Sequence, residues 1–149
     1  MDRVSVQGRS RIMRAIRSKN TRPEMTVRRY LHASGLRFRL HRRDLPGRPD
    51  IVVVSSRTVI FVHGCFWHQH LGCSAATIPQ SNREYWLQKF EKTKIRDECV
   101  QAALAEAGWH IEVIWECETR DAELHALVER LQQRKRAHEH CGGFRRRQP

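Results

Sequence analysis

The predicted elements run helix, three strands, helix, strand, helix, which makes this an α/β chain built on a small mixed central sheet flanked by helices. Two observations carry that reading. The runs Ile51-Val-Val-Val54 and Thr58-Val-Ile-Phe-Val62 are short, continuous and β-branched, as strands covered on both faces are. Capping signals and helical spacing bracket them on either side. At 149 residues the chain has room for one domain with a real core.

Taken in order, residues 9–19 (RSRIMRAIRSK) place five basic residues around a narrow apolar stripe at 12, 13 and 16. This is either a solvated surface helix or a basic arm that touches phosphates. Thr21-Arg-Pro-Glu24 then spells a helix start: Thr21 as cap, Pro23 in the first turn, and Glu24 three residues on as a capping box wants. Val27, Tyr30 and Leu31 form the apolar face, and Gly35 stops the helix.

Leu36, Phe38 and Leu40 alternate with Arg37, Arg39 and His41, the pattern of a strand with one polar face. A turn-rich loop with Arg42, Arg43 and Arg48 leads to Asp50, which opens the first β-branched run. The link to the second run is short, so the two should pair antiparallel. Residues 63–80 lack periodicity and read as an ordered loop, long enough to be functional.

Ser81-Asn-Arg-Glu84 is a second capping-box pattern, opening a helix to about Ala107 that Gly108 ends. Trp86, Phe90, Ile95, Val100 and Leu104 mark its buried side. Trp109, Ile111, Val113 and Trp115 alternate as a fourth strand, and Asp121 caps a last helix with Leu124, Leu127, Val128 and Leu131 at helical spacing. The domain is expected to span residues 1–134, with the basic helix at 1–20. A basic, disordered tail is expected over 135–149.

The formal net charge is +12, from 28 Lys and Arg against 16 Asp and Glu, which points to a polyanion and to nucleic acid first. Arg9, Arg11, Arg14 and Arg48 are the candidates for contact with a DNA backbone. No run of 18 apolar residues and no signal-peptide core are present, so the expectation is a cytoplasmic protein that meets no membrane. Monomer is the default. Five cysteines, an odd number, argue against a disulfide framework in a reducing compartment.

Cys65-x4-His70-x2-Cys73 supplies three zinc-type ligands within nine residues. Cys117, just past a predicted strand, is the best fourth; His68 competes with His70 on spacing, and Cys99, inside a helix, is expected to be buried. A structural zinc would supply folding energy to a loop short of apolar residues. Elsewhere, Asp50 begins one strand and His63 ends the next, so an antiparallel pair brings a carboxylate and an imidazole to one sheet rim. Such a rim suits magnesium and phosphodiester hydrolysis, with histidine moving the proton. The alternative is that Asp50 caps a loop and His63 orients the cysteine loop. Asp97 is either within reach of this rim or a solvent-facing charge.

The motifs LPGRPD (45–50), VIFVHGCFWH (59–68), YWLQK with RD (85–97) and VIWEC (113–117), with RSRIMRAIRSKNT and TRPE before them, resemble the Vsr-type, very-short-patch-repair DNA mismatch endonucleases. The resemblance covers roughly residues 9–132. It implies a restriction-endonuclease-like, PD-(D/E)XK-related fold, a structural zinc, and magnesium-dependent nicking beside the T of a T:G mismatch left by deaminated 5-methylcytosine. By the same resemblance Asp50 and the backbone carbonyl of Val62 hold magnesium, and His63 and His68 are catalytic, with His68 the general base. Asp97 orients one of them and Glu24 supports the water network.

Cys65, His70, Cys73 and Cys117 bind zinc in this resemblance. Phe66, Trp67 and Trp86 wedge into the duplex, with Met13 entering from the other groove. Double-stranded DNA and other mismatch-repair proteins are the implied partners. The family usually has one residue between the zinc histidine and the next cysteine, where this chain has Leu71 and Gly72. Gly72 is expected to absorb the extra residue as a bulge. Ile12 and Thr93 stand where the family commonly has a polar residue and Asn. Two other readings remain: a zinc-stabilised DNA-binding protein that cuts nothing, and a nuclease of the same fold with different specificity.

Overall fold

The computed structural model describes Ser5, Gln7, Gly8 and residues 19–144, with side chains as far as Cys141. Met13, Arg9, Arg11, Arg14 and Ile12, and with them most of the basic helix expected at 1–20, lie outside the described residues.

Helix α1 covers Arg22–Ala33. Thr21 is its N-cap, and its Oγ1 accepts from the Glu24 N–H at 3.4 Å. The reciprocal half of the expected capping box is not made: the Glu24 carboxylate turns inward to Arg28 and His41. Gly35, at φ +78°, closes the helix; the Leu36 N–H reaches Leu31 O and the Gly35 N–H reaches His32 O.

Strand β1 is only Arg39–Leu40, shorter than the alternation from Leu36 suggests. Leu36 is spent on the helix stop and on the core beside Val27 and Leu31, so the chain extends only from Arg39. Strand β2 is Ile51–Val53, and a single 3-10 turn, Val54–Ser56, leads through Arg57 in the left-handed region to β3, Thr58–His63. β2 and β3 pair antiparallel as expected, Ile51 opposite Ile60.

Helix α2 is Arg83–Glu106 and returns the chain to β4, His110–Trp115, which lies parallel to β3 with His63 beside Trp115. Its N-cap is Asn82 at φ +52°, one residue past the Ser81 of the expected capping box, and the Asn82 side chain makes no cap bond. Ile95 and Cys99 are exposed rather than buried; the buried positions of the helix are Trp86, Phe90 and Leu104. Gly108, at φ +87°, repeats the helix stop of Gly35, with Trp109 N–H on Leu104 O.

Helix α3 runs Asp121–Phe144. It therefore carries regular structure ten residues past Arg134, where the sequence suggests a disordered tail.

The sheet, in order β1-β2-β3-β4, is mixed, with helices on both faces. Strand alternation sorts the core into two layers. Ile51, Val53, Ile60 and Ile114 face α1 and α3, meeting Val27, Leu31, Leu124, Leu127 and Leu131. Val52, Val59 and Phe61 face α2 and meet Leu104, with Val100 and Leu45 at the edge. Among the described residues no helix is long and apolar enough to cross a membrane.

Candidate functional site

The register of the sheet decides what meets at its rim. Leu40 lies opposite Ile51 and the His41 N–H reaches Asp50 O at 3.2 Å, so His41 is set beside Asp50. On the other side, Asp50 Oδ2 accepts from the Val62 N–H at 2.8 Å. The residue after that amide is His63. The acidic and imidazole groups thus reach the same end of neighbouring strands, as their positions in the sequence suggest.

Burial pushes the Asp50 carboxyl up to about 6, the Val62 amide pulling the other way and the Glu24 charge adding to the rise. Ligand atoms of Glu24, His41 and Asp50 all lie within 4.8 Å of one another. Glu24 is 2 % exposed, its Oε1 2.6 Å from Arg28 Nη2 and 3.0 Å from His41 Nε2. Burial lowers the His41 pKa against the pull of Glu24. His41 and Arg28 are the members the sequence reading missed. Pairing the strand ending at Leu40 with the one opening at Asp50 would have found His41.

His63, 6 % exposed, closes β3 and stacks flat on His68, ring centroids 3.7 Å apart and planes at 4°. Burial first, and His68 second, bring the His63 pKa down to about 4. His68 Nδ1 stands 2.6 Å from Asp97 Oδ2, and α2 presents Asp97 toward the sheet rim. His68 therefore belongs with His63 and Asp97, and not with the cysteines.

The cysteine knot is separate. One ligand atom from each of Cys65, His70, Cys73 and Cys117 falls within 4.8 Å of the others. His70 Nδ1 is 3.6 Å from Cys65 Sγ and 3.3 Å from Cys117 Sγ. Four ligands at about 2.0–2.3 Å from a tetrahedral zinc stand roughly 3.3–3.8 Å from each other, so these donors fit zinc in both chemistry and spacing. Gly72, at φ +76° with open space where a Cβ would sit, takes up the extra residue in a turn closed by the Cys73 N–H on His70 O at 3.2 Å.

Residues 115–117 join the knot to the histidine pair. The Trp115 ring stacks on His70 at 4.1 Å and 8°, and meets His63 edge-on at 5.3 Å. The Glu116 N–H donates to His63 O, and Glu116 Oε1 accepts from the Cys65 N–H at 2.9 Å.

The aromatic residues gather beside these groups. Phe66 stands edge-on to Trp67, Trp86 and Phe90 at 5.3, 5.6 and 5.3 Å. Phe66 and Trp67 are half-buried, while Trp86 is 7 % exposed and packs against Phe90. Lys89 Nζ lies 5.8 Å over the Trp67 ring, and Arg48 is exposed in the loop before Asp50.

A desolvated carboxylate and a carboxylate-held histidine pair on one sheet rim, beside a cysteine–histidine knot, give this α/β protein groups suited to proton transfer and donor sets that could hold metal ions. The family described as DNA mismatch endonuclease Vsr matches this chain over residues 1–74. A type II nicking enzyme of Xanthomonas oryzae pv. oryzae, V.XorIIP, is 54% identical over 130 residues, covering 87% of this chain and 93% of the relative. The DNA mismatch endonuclease Vsr of Escherichia coli (strain K12) is 43% identical over 128 residues, covering 84% of this chain and 81% of the relative. A Neisseria meningitidis nicking enzyme, V.NmeAIP, is 40% identical over 120 residues, covering 80% of this chain and 85% of the relative.

The chain belongs to the Vsr family of DNA mismatch endonucleases. It is a DNA endonuclease, which removes the reading of a zinc-stabilised DNA binder that cuts nothing.

Proposed function

We propose that this chain nicks one strand beside the T of a T:G mismatch, by magnesium-dependent hydrolysis of a phosphodiester, in very-short-patch repair of deaminated 5-methylcytosine. The observation that carries the reading is the bond from the Val62 N–H to Asp50 Oδ2, next to His63 and its stacked partner His68. Asp50 and the Val62 carbonyl would hold magnesium. Proline has no N–H, so Pro49, which the continued register sets opposite Val62, offers that carbonyl no ladder donor. Bound there, magnesium supplies charge stabilisation at the phosphoryl group and a lowered pKa for water.

The side chains do the rest. With Nδ1–H given to Asp97, His68 keeps Nε2 as an acceptor and takes the proton of the attacking water. His63, neutral well below pH 7, supports that ring face to face. Glu24, fixed by Arg28 and His41 through one oxygen, turns the other to the water network. Phe66 and Trp67 wedge beside the mismatch, where a wobble pair resists unstacking least, and Trp86 backs them. Met13 would enter from the other groove, and Arg9, Arg11, Arg14 and Arg48 would hold the backbone. Zinc on Cys65, His70, Cys73 and Cys117 would fix the loop that carries His68. The protein would work as a cytoplasmic monomer that hands nicked DNA to other mismatch-repair proteins.

A nuclease of the same fold with different specificity is the competing reading. Single-turnover nicking across duplexes that differ in one base pair separates them, with magnesium and with EDTA. Cleavage confined to T:G and abolished by EDTA supports the proposal; equal cutting of matched duplex, or cutting in EDTA, defeats it.

A further inference from the structure

Unfavourable features gather at one corner of the rim. Glu24 is a carboxylate withdrawn from water, with 2 % of its surface exposed. Arg28 answers it with Nη2 at 2.6 Å, yet Arg28 Nε is buried with no hydrogen-bond partner among the described residues. Arg28 Nη1 faces the sulfur of Met25 at 3.2 Å, a weak acceptor. His41, which completes the group, holds φ at +45°, a left-handed conformation that a residue with a Cβ adopts at a cost. A buried ion pair is weak evidence for stability, since desolvation can exceed the attraction. Local penalties collected in one place are what a functional site shows.

His41 reaches two elements at once. Its backbone N–H meets Asp50 O at 3.2 Å, which ties it to the opening of β2. Its Nε2 stands 3.0 Å from Glu24 Oε1 and 2.9 Å from Arg28 Nη2, both on α1. One residue thus links the helix that carries Glu24 to the strand that Asp50 opens. Ligand atoms of Glu24, His41 and Asp50 come within 4.8 Å of one another, but Arg28 Nη2 already lies against both Oε1 and Nε2. A guanidinium fills the place a cation would take between those two donors, which leaves His41 a partner of Glu24 rather than an ion ligand. Glycine would make the same backbone turn without strain, but it offers nothing to Glu24. The strained backbone is what presents the ring.

We propose that His41 is a positioning residue for the nicking reaction: with Arg28 it holds Oε1 of Glu24 and so fixes where that carboxylate stands beside Asp50. This rests on the role of Glu24 in the water network. His41 itself touches neither DNA nor ion. Without its ring the Glu24 carboxylate can turn about its remaining bond to Arg28, so the rate falls while the duplex is bound as before.

The test compares His41→Ala, His41→Gly and His41→Gln with the parent, each also combined with Glu24→Gln. Single-turnover nicking of whichever duplex the parent cuts is read at saturating DNA and magnesium, beside DNA binding and thermal melting. His41→Ala and His41→Gly should each nick ~10-fold or more slowly, with DNA binding unchanged. His41→Gln, whose amide brings a donor and an acceptor to the place of Nε2, should recover most of the rate. In the Glu24→Gln background the same changes should cost nothing further, since the group they act through is already altered. Melting separates position from stability. His41→Gly should melt above His41→Ala, because only alanine keeps the positive-φ penalty, yet it should nick no faster. Nicking that follows the melting order, or an equal further loss in the Glu24→Gln background, would overturn the proposal. A full-rate His41→Ala beside a slow Glu24→Gln strikes the role of His41 alone. A full-rate Glu24→Gln strikes the role of Glu24, and that of His41 falls with it.

Discussion

Asp97 Oδ2 lies 2.6 Å from Nδ1 of His68, so one helical carboxylate engages that nitrogen and leaves Nε2 for the proposed proton transfer. Asp97→Asn can hold the ring but can present its amide to Nδ1, favouring the wrong tautomer. Turnover should fall ~10²–10⁴-fold for His68→Ala and by a smaller factor for Asp97→Asn, with DNA affinity retained in both. Single-turnover rates beside equilibrium binding check this, and a parallel loss of binding would contradict it.

Asp50 costs the fold stability at neutral pH. Its carboxyl titrates at about 6 in the folded chain against an ordinary 3.8, so folding favours the protonated form. That contribution is complete below 3.8 and is lost as pH rises through about 6. Asp50→Asn should therefore melt roughly 2–4 °C higher than the parent at pH 8, with the difference vanishing near pH 4. Magnesium should raise the melting temperature of the parent at pH 8 and leave the variant unmoved. Thermal melts at the two pH values, with and without the ion, test both statements.

Two histidines two residues apart are assigned to different clusters. His70→Ala should lose zinc and His68→Ala should keep it, by metal analysis of the purified proteins. Because the Trp115 ring lies flat on His70 at 4.1 Å, stripping the knot with a chelator should also change tryptophan emission in the parent. Retention of zinc by His70→Ala would overturn the assignment.

Gly47 stands in the loop that delivers Asp50, at φ +71°, and a Cβ there would run into Val100 Cγ1 on α2. Gly47→Ala should cost about 1–3 kcal/mol in urea unfolding. Part of that cost is the clash and part is the positive φ. Removing the obstacle with Val100→Ala should recover the first and not the second. Strict additivity of the two changes would argue against the contact.

The fold was legible wherever one signal settled it. β-branched runs gave β2 and β3, Gly35 and Gly108 gave helix stops, and the short link gave the antiparallel pair. The reading failed where long-range packing decided. Leu36 alternates like a strand residue but is buried by the helix stop, and Ile95 has helical spacing but stands exposed. At the site, strand ends set Asp50 and His63 at one rim, in two neighbouring groups of side chains, since register follows from pattern. His41 and Arg28 escaped because their partner Glu24 had a local explanation as a cap, and only tertiary structure shows its carboxylate facing inward. The choice between His68 and His70 needed the path of the loop, which spacing does not give.

The most direct measurement is single-turnover nicking of a T:G duplex at saturating magnesium by the parent and by Asp50→Asn, the variant expected to be the more stable at pH 8. The rim assignment predicts a rate at least ~10²-fold lower for the variant, on a folded protein that still binds the duplex. Equal rates would contradict it.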